Sequence, residues 1–177
     1  MNRDLDQRLD LVAFMGALCL FFSTIEYLFP RPFPFFRLGL ANLPVLLALD
    51  MFSPGFVLLL VLVKVVGQGL INGTLASYVF LFSLAGSFAS AIVMLLVHRA
   101  GSRWISLVGV SLFGAMASNV VQITLSVTFI FGATAWVIAP PFLGLGVVSG
   151  LVVGLFAERF HKQSRWLAAH RERIHGS

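Results

Sequence analysis

From Leu9 to Ala157 the chain is a succession of apolar runs broken only by short polar, proline or glycine stretches. Several of these runs reach the ~20 residues that a helix needs to cross a bilayer. With 59% hydrophobic and 11% charged residues, against about 25% charged in a soluble domain, a water-soluble core of this size has no means of hiding so much apolar surface. The chain reads as an all-α integral membrane protein. Its formal charge of +5 is therefore a matter of orientation and carries no nucleic-acid signal.

The breaks divide the chain into six spans: Leu9 to Leu28, Leu38 to Phe52, a third that follows Ser53-Pro54-Gly55 and ends near Ile71, Tyr78 to Val97, Trp104 to Phe131, and Trp136 to Ala157. Proline and glycine make the third boundary, and Asn72-Gly73-Thr74 the next. Residues 1–158 form the transmembrane domain and 159–177 a basic cytoplasmic tail suited to anionic lipid heads. The first run follows a mixed-charge stretch and lacks a small-residue cleavage pattern, so it stays as a helix.

With both termini cytoplasmic, Arg3, Arg8, Arg99, Arg103, Arg159, Lys162, Arg165, Arg171 and Arg173 face inside and only Arg31 and Arg37 outside, the bias expected of a cytoplasmic (inner) membrane protein. Tyr27, Tyr78 and Trp136 then mark the outer interface, and Trp104 and Trp166 the inner one. The second span is the short one. About 15 residues at 1.5 Å each reach about 22 Å across a core of about 30 Å.

Gly146, Gly150 and Gly154 repeat at four-residue spacing on the sixth helix, a face that lets another backbone approach closely, with packing inside the subunit as the expectation. Ala13, Gly16 and Ala17 make a similar small face on the first.

Polar groups are scarce in the spans, which makes each informative, because an ionisable side chain in hydrocarbon is costly unless paired or used. Lys64, Gln68 and Asn72 share one face of the third helix. Asn119 and Gln122 lie with Ser111, Ser118 and Ser126 along the fifth, Glu26 stands one turn from the outer end of the first, and Asn42 enters from the second. Their convergence on one outer cavity is the expectation. Arg31 and Arg37 in the proline-spaced loop above, with Lys64, outweigh Glu26 and leave a positive mouth suited to an anionic or phosphorylated ligand. Read singly, Asn119 and Gln122 are interhelical hydrogen-bond glue, worth about 0.6 kcal/mol, ahead of ligand contacts; Lys64 and Glu26 serve equally well as a neutralising pair, and the arginines as ligands of lipid phosphates.

Asp50 reads as a water-exposed cap beside the Ser-Pro-Gly turn, and His98, His161, His170 and His175 as solvated or lipid-facing. No DDxxD, Walker, HExxH or CxxCH pattern occurs, so no catalytic residue, metal or cofactor is assigned. Cys19 stands alone, without a disulfide framework.

The run Glu26-x3-Pro30-Arg-Pro32-x-Pro34-x2-Arg37-Leu-Gly-Leu-Ala-Asn42, then Lys64, GTLASYVFLFSLAGSFAS and SLVGVSLFGAMASNVVQ, resembles the membrane family known as heptaprenyl diphosphate synthase component I, also called the Gx transporter family. The resemblance covers residues 20 to 155. It implies a six-helix fold similar to the substrate-binding S components of energy-coupling factor vitamin transporters, with a pocket open to the outside. It also implies an AxxxA patch on the first helix that meets a coupling subunit, matched here by Ala13 and Ala17. Lys64 stands where the family usually has arginine, which keeps the charge and loses a bidentate fork. Ser118 stands where the family has histidine, which removes a titratable group.

Three functions follow. The first is a transport subunit that binds a small anionic nutrient outside and relies on a coupling membrane subunit with separate ATPases. The second is a non-catalytic membrane component in prenyl diphosphate synthesis. The third is a quinone- or flavin-linked partner in extracellular electron transfer, its redox group supplied from elsewhere.

Overall fold

The computed structural model describes residues 3–28, 39–101 and 104–163. They form helix α1 (Arg3–Leu28), a 3-10 turn (Leu40–Asn42) leading into α2 (Leu43–Ala48), then α3 (Pro54–Ile71), α4 (Tyr78–Gly101), α5 (Leu107–Ser126) and α6 (Ala135–Gln163). A π turn, Val127–Phe131, and a 3-10 turn, Gly132–Thr134, join α5 to α6. Among the described residues there is no strand. Five helices (α1, α3, α4, α5 with its π turn, and α6) are long and apolar enough to cross a membrane, as in a multi-pass membrane protein.

Local chemistry sets the ends. Ser53 is extended, φ −67° and ψ 158°, as a residue before proline prefers, and Pro54 starts α3 where its missing N–H is no loss. Ser106 is likewise extended and accepts the Gly109 N–H on its hydroxyl, satisfying one of the orphan donors of α5.

Glycine contacts give the directions. A β-carbon on Gly16 would meet Val63 and Leu60, and one on Gly67 would meet Leu20, so α1 and α3 run the same way. Gly86 faces Ser118 and Gln122 while Gly114 faces Ser90 and Met94, so α4 and α5 are antiparallel. Gly146 faces Asn119, Gly150 Leu112 and Gly154 Val108, so α5 and α6 are antiparallel too. The three-glycine stripe of α6 therefore packs inside the subunit, against α5, in agreement with the sequence. The glycines let the helices approach until Gly154 lies beside the Val108 backbone.

Because α1 and α3 are parallel, the chain between them must double back, and the second segment carries out the return. It is shorter than the Leu38–Phe52 span expected from the sequence. Three residues of 3-10 turn and six of α-helix reach about 15 Å, well under a bilayer core of about 30 Å. The segment is thus not a sixth helix long enough to cross on its own, and it is instead enclosed. Pro44 through Leu49, with Met51 and Phe52, are buried, and α2 packs against α1, α3, α5 and α6. Enclosure is the condition under which so short a helix can sit at membrane depth, since its end groups would otherwise face lipid unsatisfied. With Val12, Met15, Cys19, Val57, Leu60, Val61, Val65, Ala91, Met94, Leu95, Val110 and Ala157 it forms the main core.

The lipid-compatible face is rich in exposed apolar side chains such as Phe14, Phe21, Leu96, Val148 and Phe156. Of the interfacial aromatics foreseen from the sequence, Trp104, Tyr78 and Trp136 are exposed, while the Tyr27 side chain and Trp166 lie outside the described residues. Helix α6 continues through Gln163, past the boundary drawn at residue 158, and the rest of the tail lies outside the described residues.

Candidate functional site

Three of the polar residues meet at one turn. Gly39 is left-handed, φ 76° and ψ 15°, a conformation open to glycine because it carries no Cβ. Its N–H donates to Glu26 Oε1 at 2.8 Å, which ties the end of α1 to the start of the turn. At the other end of the turn, Asn42 Oδ1 accepts from Lys64 Nζ, which ties it to the middle of α3. A β-carbon on Gly39 would lie 3.4 Å from Asn42 Nδ2 and 3.5 Å from Ser149 Oγ, so α6 reaches the same place through Ser149. Glu26 and Lys64 are each 4% exposed. A carboxylate and an ammonium withdrawn this far need hydrogen-bonding partners around them, and the turn supplies one to each.

The α3 stripe points inward where the sequence places it. Gln68, one turn beyond Lys64, is buried and engaged, and Asn72 is half-buried as the C-cap, its N–H reaching the carbonyls of Gln68 and Leu70. Arg31 and Arg37 lie outside the described residues.

The α5 amides have other partners. Asn119 Nδ2 donates to the Phe142 carbonyl of α6 at 3.2 Å, in the space that Gly146 leaves by having no side chain. Gln122 Nε2 donates to Ser118 Oγ at 3.0 Å. Both sit beside Gly86 of α4, where a β-carbon would come within 2.7 Å of the amide. Gln122 Oε1 and, one turn on, Ser126 Oγ are buried without a hydrogen-bond partner. Ser126 is also the one polar residue lining a shallow recess with Ile123, Phe131, Ala135, Ile138, Ala139 and Phe142, partly open to the surroundings. These hydrogen bonds thus fall into two groups, one around the Gly39–Asn42 turn and one on α5, where Asn119 bonds α6 and Gln122 bonds Ser118 of the same helix.

Two features were missed from the sequence. Ser149 was not singled out, although a hydroxyl among the Gly146, Gly150 and Gly154 positions of α6 is itself a signal. The second feature corrects an expectation. Asp50 is no water-exposed cap: the bend after α2 turns its carboxylate between the ends of α4 and α6, leaving the side chain 12% exposed, 3.1 Å from His98 Nε2 and 3.5 Å from His161 Nδ1. The two imidazoles are accordingly packed on a carboxylate and largely covered. Among the described residues no group of three or more His, Cys, Asp or Glu side chains is arranged to hold a metal ion.

Ala13 and Ala17 are exposed on α1 while Gly16 between them is buried against α3. The small face predicted from sequence is thus divided between an internal contact and an open surface.

The chain belongs to the heptaprenyl diphosphate synthase component I family, whose model matches residues 15–160. That range holds Glu26, the Gly39–Asn42 turn, Asp50, Lys64, His98, Asn119, Gln122 and Ser149, and stops one residue before His161. No curated protein and no solved structure matches the chain.

Proposed function

We propose, with this membership as the premise, that the protein is a membrane-embedded substrate-binding subunit of the S-component kind, taking a small anionic ligand from the outer face at the Glu26 end of the bundle. The observation that carries the reading is the meeting of Glu26, Asn42 and Lys64 at a single turn, inside a bundle otherwise made of hydrocarbon-compatible side chains. Lys64 makes the positive side of the site and Glu26 its counter-charge, with the charges of Arg31 and Arg37 assigned to the same site on the sequence alone. Gln68 and Asn72, on the same face of α3 as Lys64, supply amide groups that orient the ligand, while Asn119 and Gln122 bond to Phe142 and Ser118 in the separate α5 group. Charge of this sign and fixed hydrogen bonding suit a carboxylate or a phosphate.

The chain carries no nucleotide-binding motif, so energy comes from a coupling membrane subunit with separate ATPases, docking on the exposed α1 face at Ala13 and Ala17. Both termini are cytoplasmic in this arrangement.

Native mass spectrometry of gently purified protein tests the reading. The expected result is a co-purifying small anion that is lost in Lys64→Ala and Arg37→Ala while both variants remain folded in the membrane. Retention of the same adduct in both variants removes those residues from the site. The family's printed name supports a second reading, a non-catalytic membrane partner of a prenyl diphosphate synthase. Co-purification of a soluble synthase, without a small-molecule adduct, selects it.

A further inference from the structure

We infer that Asn42 is the residue that meets the ligand's anionic group, that this group is a carboxylate, and that Lys64 is the positioning residue that aims the Asn42 amide at it. The inference rests on the binding-subunit reading and names the chemistry of that same site. Asn42 stands at the start of α2, where an asparagine side chain ordinarily accepts a backbone N–H of the first turn. Here it makes no such cap, and Pro44, in the first turn, has no N–H to give. Its carbonyl oxygen accepts from Lys64 Nζ instead. An ammonium can only donate, so this bond fixes the orientation of the amide, with Oδ1 toward α3 and Nδ2 directed away from it. That nitrogen donates to no group among the described residues.

What Nδ2 faces is the notch at Gly39. A β-carbon there would lie 3.4 Å from Asn42 Nδ2 and 3.5 Å from Ser149 Oγ, so the side of the turn that glycine leaves bare is bordered by an amide donor and a hydroxyl. Ser149 is otherwise engaged, and its part is that of a polar wall. Gly39, Leu40 and Asn42 are half-buried while Ala41 between them is buried, so the turn is packed beneath and open on one side. The two buried charges of the described site, Lys64 and Glu26, cancel, and the group offered at the notch is a neutral N–H donor. A single charge spread over two carboxylate oxygens can accept such a donor. A doubly charged phosphate withdrawn to the same place needs cations directly against it, and Lys64 is turned to the other end of the amide.

The test is thermal unfolding of the protein in lipid nanodiscs, titrated with acetate or with methyl phosphate at constant ionic strength. Acetate is expected to raise the wild-type midpoint at lower concentration than methyl phosphate does. Asn42→Asp keeps Lys64 partnered and puts an acceptor where the donor was. Asn42→Ala removes the amide and leaves the Lys64 charge in place, so a lysine that held the anion itself would bind it at least as well. Each variant is instead expected to raise the half-saturating acetate concentration about tenfold, as fits the loss of one hydrogen bond to a charged group. If Asn42→Ala is not recovered folded, Asn42→Asp decides alone. An unchanged acetate response in the Asn42 variants, or methyl phosphate as the stronger stabiliser of the wild type, overturns the inference and leaves the binding-subunit reading standing. A wild type that responds to neither anion overturns that reading and the inference with it.

Discussion

Two alanine substitutions on one helix give opposite outcomes if α5 and α6 pack as described. At Gly154 a β-carbon would stand 2.6 Å from Val108 Cα, 3.1 Å from Ser111 Cβ and 3.3 Å from Val108 Cβ, where non-bonded carbons sit comfortably at about 3.5–4.0 Å. The nearest obstacle is backbone, which cannot turn aside as a side-chain tip can, so the helices must part by about 1 Å. Overpacking of this kind costs about 1–3 kcal/mol, and alanine's better helix propensity returns up to about 1 kcal/mol. The net loss is about 1–2 kcal/mol, or about a tenfold rise in the unfolded fraction. At Gly144 nothing lies within 4 Å of the added carbon. Only the propensity gain remains there, and Gly144→Ala is neutral or more stable by up to about 1 kcal/mol. Unfolding of both variants in mild detergent, by titration with a denaturing detergent and by heat, reads the difference. Equal shifts in the two variants, or a Gly154→Ala protein as stable as the wild type, would refute the close approach of α6 to the α5 backbone.

Other substitutions probe the turn and the amides. Gly39→Ala should lower stability by about 1–2 kcal/mol, the penalty of a β-carbon in the left-handed region, and Gly39→Asn should recover part of it, asparagine tolerating that region better; the melting temperatures of the pair give the comparison. Glu26→Leu should cost more than Glu26→Gln, because leucine leaves the Gly39 N–H without an acceptor whereas glutamine keeps one, a difference of about 1–3 kcal/mol measurable in the same unfolding titration. Asn119→Ala removes one interhelical hydrogen bond and should cost only about 0.6 kcal/mol. A ligand-dependent stabilisation that disappears in this variant would instead mark Asn119 as a ligand contact.

Much of the helical layout was legible in the residues. Pro54 and the Asn72-Gly73 pair fix the ends of α3 by backbone chemistry that does not depend on the rest of the fold. The Gly146-Gly150-Gly154 spacing predicted a close helix contact, and α5 provides it. The second segment was harder, because a short helix enclosed by protein and a membrane span have the same apolar composition. Its shortfall in length was visible, but enclosure on every side is a property of the other helices. Lys64 and Asn42 were both singled out from the sequence, and the bond between them follows from the doubling back of the chain. The pairing of Asp50 with His98 and His161 left no local trace, since the three are far apart in the chain and each, seen alone, looks like an ordinary polar residue at a helix end.

The enclosed helix also bears on how the protein is made. One of its walls belongs to α6, the last of the described helices to leave the ribosome. Through most of synthesis the segment from Leu40 to Phe52 must wait at the translocon or in the bilayer without its final neighbours. A nascent chain interrupted after α5 would hold a stretch too short to insert stably and too apolar to be released into water, a natural target for membrane quality-control proteases.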